Sequence, residues 1–142
     1  MTPLRSGCYC ARIRYEVDSV FDAGYCHCSI CRRIGGAPVY AGLVTHAADF
    51  RVVSGKPRPF ASSDHGKRWF CPECGTHLYC TDARHDRVSV ALGTLDDPNA
   101  VAPKIHQWTS AQLAWFEIRD DLPRVQDGVL PHPAKRKQWT RV

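Results

Sequence analysis

Seven of the eight cysteines fall into tight clusters, and their spacing constrains this chain more than any other feature. Cys8 and Cys10 are separated by one residue. Cys26, Cys28 and Cys31 lie within one six-residue stretch, Cys71 and Cys74 are separated by two residues, and Cys80 stands alone. An even count in a small chain invites a disulfide reading. The gaps argue against it, because two cysteines separated by one residue rarely meet the restrictive geometry of the bridge. Clusters of this kind read as thiolate ligands for zinc in a reducing cytosol, so the expected compartment is the cytoplasm. The opening residues hold no apolar stretch of signal-peptide length. No apolar run approaches the ~18 residues of a membrane span.

Cys71-Pro-Glu-Cys74-Gly75 is the strongest local signal. Two thiolates three positions apart meet one metal across a tight turn, and Gly75 permits the backbone conformation such a turn needs. A closed structural zinc takes four ligands, so this knuckle needs a second pair. Gly7-Cys8-Tyr9-Cys10 is the natural one, which makes Cys8, Cys10, Cys71 and Cys74 the expected structural site. Cys26-His27-Cys28-Ser-Ile-Cys31 then remains, with three thiolates. Three protein ligands and one open position are the pattern of a reactive zinc. The alternative is a second closed site, completed by Cys80 or by a histidine. His27 is a poor completing ligand, because both its neighbours would already coordinate.

The chain's 142 residues fit one domain. With 44% hydrophobic and 23% charged residues, it has the composition of an ordered globule. Ile13, Tyr15 and Val17 alternate with Arg12, Arg14 and Glu16, the pattern of a half-buried strand. Val39–Val44, Phe50–Val53 and Val88–Leu92 read as further strands. Trp69-Phe70 and Leu78-Tyr79 flank the knuckle as a hairpin. One helical turn is expected near Ser29–Ile34. The segment Val53–Lys67, with Pro57, Pro59 and Gly66, reads as a loop near the site. The fold class is therefore mainly β, in a single zinc-stabilised domain. A basic tail over residues 126–142, with Lys135, Arg136, Lys137 and Arg141, reads as solvated.

These residues resemble the glutathione-dependent formaldehyde-activating (GFA) family. The resemblance rests on Gly7-Cys8-Tyr9-Cys10 followed by Arg14-Tyr15-Glu16-Val17, and on Cys26-His27-Cys28-Ser29-Ile30-Cys31-Arg32-Arg33 with Gly36-Ala37. It continues through Arg68-Trp69-Phe70-Cys71-Pro72-Glu73-Cys74-Gly75-Thr76-His77-Leu78, Gly93-Thr94-Leu95-Asp96-Asp97-Pro98 and Pro103-Lys104-Ile105-His106, with Trp115 beyond. These pieces run in family order over residues 4–125. The resemblance implies a β-tent fold. It also implies a structural zinc at Cys8, Cys10, Cys71 and Cys74, and a second zinc at Cys26, Cys28 and Cys31. The implied activity is carbon–sulfur lyase chemistry, the reversible joining of formaldehyde and glutathione into S-hydroxymethylglutathione. Zinc lowers a bound thiol's pKa, and a three-thiolate shell suits thiol activation better than water activation. His27, His77 and His106 are candidate proton donors. Arg32, Arg33, Lys67 and Arg68, beside the cysteine clusters, are candidates to hold a glutathione carboxylate.

A competing reading is a non-enzymatic zinc-stabilised module that binds protein or nucleic acid, with Trp139 in the basic tail as a contact. The formal charge of +5 counts thiols as neutral. Four thiolates on one Zn2+ and three on another bring it to +2, too small to argue for nucleic acid. The expected partner is a small-molecule thiol such as glutathione. Sequence alone assigns no oligomeric state.

Overall fold

A computed structural model of the chain describes residues 2–128. The basic residues of the expected tail, from Lys135 to Arg141, lie outside the described residues. Among the described residues, ten strands make two sheets. The first is antiparallel, in the order β1 (Leu4–Gly7), β2 (Arg14–Val17), β5 (Phe50–Ser54). The second has seven strands: β10 (His106–Gln107), β3 (Asp22–Cys26), β4 (Tyr40–His46), β9 (Arg87–Ala91), β8 (His77–Asp82), β7 (Gly66–Phe70) and β6 (Arg58–Ala61). Every pair in it is antiparallel except β10 with β3. One α-helix, α1 (Ser29–Gly35), follows β3. Among the described residues, no helix is long and apolar enough to cross a membrane.

The alternation read from Arg12 to Val17 is what buries this domain. Ile13, Tyr15 and Val17 are all within 2% of full burial, and they face the second sheet. There Leu43, Val90 and Tyr79 sit in one cross-strand row, with Trp69 next to Tyr79. Tyr15 packs on Phe50 and edge-on to Tyr79, while Trp69 stacks on Tyr79. The Tyr15 hydroxyl hydrogen-bonds Thr94, so the polar end of this buried ring is satisfied. Because side chains alternate across a strand, the opposite face of the same strands carries Arg68, Cys80, Ser89 and Val44 as a second row. That face is the floor of a cleft.

The segment Val53–Lys67, expected as a loop, instead contains β6, paired with β7. Pro59 stands opposite Trp69, and β6 is the outermost strand of its sheet. An edge strand tolerates a residue without an N–H, which is how two prolines and a strand share this stretch. Strands β1, β3 and β10 have no clear hydrophobic alternation, and pairing with stronger neighbours forms them. Gly24 in β3 illustrates why composition misleads there. A Cβ at Gly24 would stand 2.8 Å from Ile105 Cγ2 and 3.0 Å from Ile105 O, so glycine lets the β10 segment lie against β3.

Candidate metal centres and the cleft between them

Two loops from different sheets build the first cluster. The β1–β2 loop supplies Cys8 and Cys10, and the β7–β8 loop supplies Cys71 and Cys74. The four Sγ atoms all lie within 4.8 Å of one another. Cys8 and Cys10 sulfurs are 3.5 Å apart, and Cys10 and Cys71 sulfurs 3.8 Å. Tetrahedral zinc with Zn–S bonds of about 2.3 Å sets sulfurs about 3.8 Å apart, so the donor set fits that metal. Local backbone bonds preform each loop. Cys8 N–H donates to Ile13 O, and Ile13 N–H donates to the Cys8 sulfur. Gly75, at φ +75°, turns the knuckle back so that its N–H reaches Cys71 O at 2.9 Å. A left-handed φ of this kind favours glycine. Tyr9 N–H donates to Thr76 Oγ1 and ties one loop to the other. The Thr76 hydroxyl and backbone pull the Cys74 thiol down to about 5, into the range where it is a thiolate at neutral pH.

The second cluster is local. Cys26 ends β3, Cys28 caps α1, and Cys31 lies in its first turn. Their three sulfurs also lie within 4.8 Å of one another, and Cys80 is outside that group. The Cys28 sulfur accepts the Cys31 N–H at 3.3 Å, doing the work of an N-cap oxygen. Hydrogen bonds from the Cys26 and Cys31 thiols pull Cys28 far below the usual thiol range. Cys26 is pushed up correspondingly, first by Cys28 and then by Cys31. This donor set, three soft sulfurs on one short segment, fits zinc with one ligand position to spare.

This second cluster opens into a cleft of about 660 Å3, within the usual size of small-molecule sites. Its sheet floor is the row Arg68, Cys80, Ser89 and Val44, and Ile30 and Trp108 stand at its rim. Trp108 adopts a left-handed φ of +55°, uncommon for a bulky residue, and is followed by a 3-10 turn at Thr109–Ala111. Arg68 donates to the Cys31 sulfur from both terminal nitrogens, at 3.4 and 3.5 Å. Burial works against its charge, but the Cys80 and Cys31 sulfurs outweigh burial and hold the guanidinium more firmly protonated than usual. Burial pushes the Cys80 thiol up, against the pull of the Arg68 charge.

Of the four basic residues expected to hold a carboxylate, Arg68 lines the cleft, whereas Arg32, Arg33 and Lys67 do not. Lys67 precedes Arg68 on one strand, and alternation sends it to the other face. The cleft wall is built instead by His65 from the β6–β7 turn, Arg84 and His85 from the β8–β9 turn, and Arg87 at the start of β9. Arg84 is held by Asp82 in two bonds of 3.0 and 2.6 Å. Arg87 has no carboxylate partner among the described residues and lies over the Phe21 ring. These residues escaped the sequence reading because they are remote in sequence from every cysteine cluster. For Arg87 the signal is the period-two run Arg68, Cys80, Asp82 and Ser89, Arg87 on paired strands.

None of the three histidines expected as proton donors lines the cleft. His27 and His106 are 1% exposed and joined to each other. His27 Nε2 is 2.9 Å from His106 Nδ1, and His106 Nε2 is 2.9 Å from Asp120 Oδ2. The Asp120 carboxylate accepts a hydrogen bond from His106 Nε2–H, which leaves His106 Nδ1 to accept one from His27 Nε2–H. His27 is thereby anchored behind the cysteine segment, and burial, then His106 and Arg124, lower its pKa. The backbone follows the same line, with His27 N–H donating to Gln107 O at 3.0 Å. His77 is partly buried against Tyr40, and burial followed by the Arg68 charge lowers its pKa to about 4.

Comparison with known proteins agrees with this geometry. The family model described as glutathione-dependent formaldehyde-activating enzyme matches residues 3–111. A Halomonas elongata protein provisionally named a glutathione-dependent formaldehyde-activating enzyme is 27% identical over 126 residues, spanning 81% of this chain and 80% of its own. A crystal structure of a Rhodobacter sphaeroides protein superposes with a TM-score of 0.54 at 27% identity, covering 70% of this chain and 91% of the other. Because the family match takes in both sulfur clusters and all ten strands, this chain belongs to the glutathione-dependent formaldehyde-activating enzyme family.

Proposed function

We propose that this protein is a zinc-dependent carbon–sulfur lyase that joins a small thiol to an aldehyde, with glutathione and formaldehyde as the reactants. The observation that carries this reading is the three-sulfur cluster lining an open cleft. Zinc held by Cys26, Cys28 and Cys31 would keep one position for the incoming thiol and lower its pKa. The remaining work falls to the chain. His27, anchored through His106 to Asp120, holds the segment between Cys26 and Cys28 in place. Arg87, free of any carboxylate partner among the described residues, takes a glutathione carboxylate. Ile30 and Trp108 cover the reacting end at the rim. In the forward direction the sulfur adds to the aldehyde carbon, the carbonyl pair moves to oxygen, and the oxygen takes a proton. His65 and His85 are the imidazoles that reach the cleft and can deliver that proton.

The test compares glutathione with S-methylglutathione on the zinc-loaded protein. The two share both carboxylates and the amine and differ only at sulfur. Glutathione should bind at least about tenfold more tightly and release about one proton near neutral pH, since the free thiol's pKa lies above about 8. Calorimetry in buffers of different ionisation enthalpy counts that proton. Equal affinities with no proton release would overturn the reading.

A further inference from the structure

Arg68 is the most constrained cation in the cleft. It has no carboxylate within ion-pair distance among the described residues, although it is half-buried. A guanidinium in that position needs a counter-charge. All three of its nitrogens are already directed. Nε donates to Ser62 Oγ at 3.3 Å, and Nη1 and Nη2 converge on the Cys31 sulfur at 3.4 and 3.5 Å. The strand register fixes the origin of this fork, since Arg68 on β7 stands directly opposite Cys80 on β8. Cys31 meets it from the other side of the cleft, on α1.

The charge count gives this contact its meaning. Three thiolates around a divalent cation carry a net −1, and an anionic fourth sulfur makes that −2. A fork that straddles one ligand sulfur is suited to offset this charge and to fix the direction of that sulfur's lone pairs. A lysine, which offers a point charge, would do the first without the second.

We propose that Arg68 is a positioning residue of the three-cysteine metal centre, holding Cys31 Sγ as an oriented thiolate and offsetting the centre's negative charge, and that it does not grasp a substrate carboxylate. This rests on the reading of Cys26, Cys28 and Cys31 as a zinc site. It assigns the substrate carboxylate to Arg87 and leaves Arg68 to the metal.

The experiment titrates zinc out of the full chain with a competing chelator and compares the unmodified protein with Arg68→Met, Arg68→Gln and Arg68→Lys. The weaker of two bound zincs should lose about 10–100-fold in affinity in Arg68→Met, the usual cost of removing an outer-sphere partner. The tighter zinc and the melting temperature serve as the internal control. Arg68→Gln gives the same reading if Arg68→Met does not fold, and Arg68→Lys should recover part of the loss. A second measurement compares glutathione with 2-mercaptoethanol, a thiol with no carboxylate. Arg68→Met should weaken both by a similar factor. Zinc affinity within twofold of the unmodified protein, a single bound zinc in that protein, or a loss confined to glutathione would each overturn the proposal. If the unmodified protein binds neither thiol, the lyase reading fails while the zinc titration still decides the role of Arg68.

Discussion

At the scale of single residues, the cleft separates side chains that look equivalent in the sequence. His77 and His85 are both histidines near strands of the second sheet, but His85 reaches the cleft and His77 is packed beside Tyr40. Burial and the Arg68 charge depress the His77 pKa to about 4, against about 6.5 for a free imidazole. The sign of the linkage follows. The unfolded chain takes up a proton as pH falls through about 6.5 and folded His77 does not until about 4, so its contribution to stability is complete above that window and lost on acidification through it. NMR titration of the His77 ring should show a neutral imidazole from pH 8 down to about 5.5. A midpoint at or above about 6.5 would contradict the environment described here. Arg87 gives the companion prediction. Arg87→Ala should weaken glutathione binding by about 10–100-fold, the worth of a charge-assisted hydrogen bond, and leave 2-mercaptoethanol binding unchanged. Paired thiol titrations check this, and an equal effect on both would remove Arg87 from carboxylate recognition.

Elements, rather than residues, decide what each sulfur cluster holds together. The first joins the β1–β2 loop of one sheet to the β7–β8 loop of the other, with 61 positions between Cys10 and Cys71. The second spans one strand end and the first turn of α1. Cys71→Ser should therefore remove one zinc and lower the melting temperature by roughly 10–20 °C, corresponding to about 3–5 kcal/mol for a domain of this size. Cys28→Ser should release the other zinc at little cost to folding. Serine is itself a good N-cap, so it keeps the hydrogen bond that starts α1 while removing the soft ligand. Metal analysis and thermal melts on both variants check the pair. Equal destabilisation would show that the two clusters do not divide labour in this way. The same element logic explains β6, whose Pro59 sits on an edge where no partner strand asks for its N–H.

For the whole molecule, the two sheets share a core on one side of the larger sheet and leave the cleft on its other side. Metal removal should therefore proceed in two steps. With zinc on both clusters, as proposed, a graded chelator should first take the cleft zinc, with near-UV circular dichroism preserved. The inter-sheet zinc should then leave together with tertiary structure, because its ligands are brought together only by folding. Both zincs leaving in a single unfolding step would mean that the cleft cluster is also part of the structural frame.

The sequence by itself determined which cysteines cluster and the class of fold. Cysteine gaps are local, so Cys71-Pro-Glu-Cys74 and Cys26-His-Cys28 announce their thiolate clusters without any long-range information. The alternation of Ile13, Tyr15 and Val17 likewise names the buried face of β2, and the helical turn after Cys28 is where it was read. Tertiary structure alone decided which residues surround the second cluster. Arg68, Cys80 and Ser89 form one row only because β7, β8 and β9 pair in that register. His27 faces away from the cleft only because His106, brought in by the parallel β10, waits behind it with Asp120. Local spacing fixes which atoms can bind a metal, whereas register and long-range pairing, set by burial of the core face, choose which side chains share the space above it.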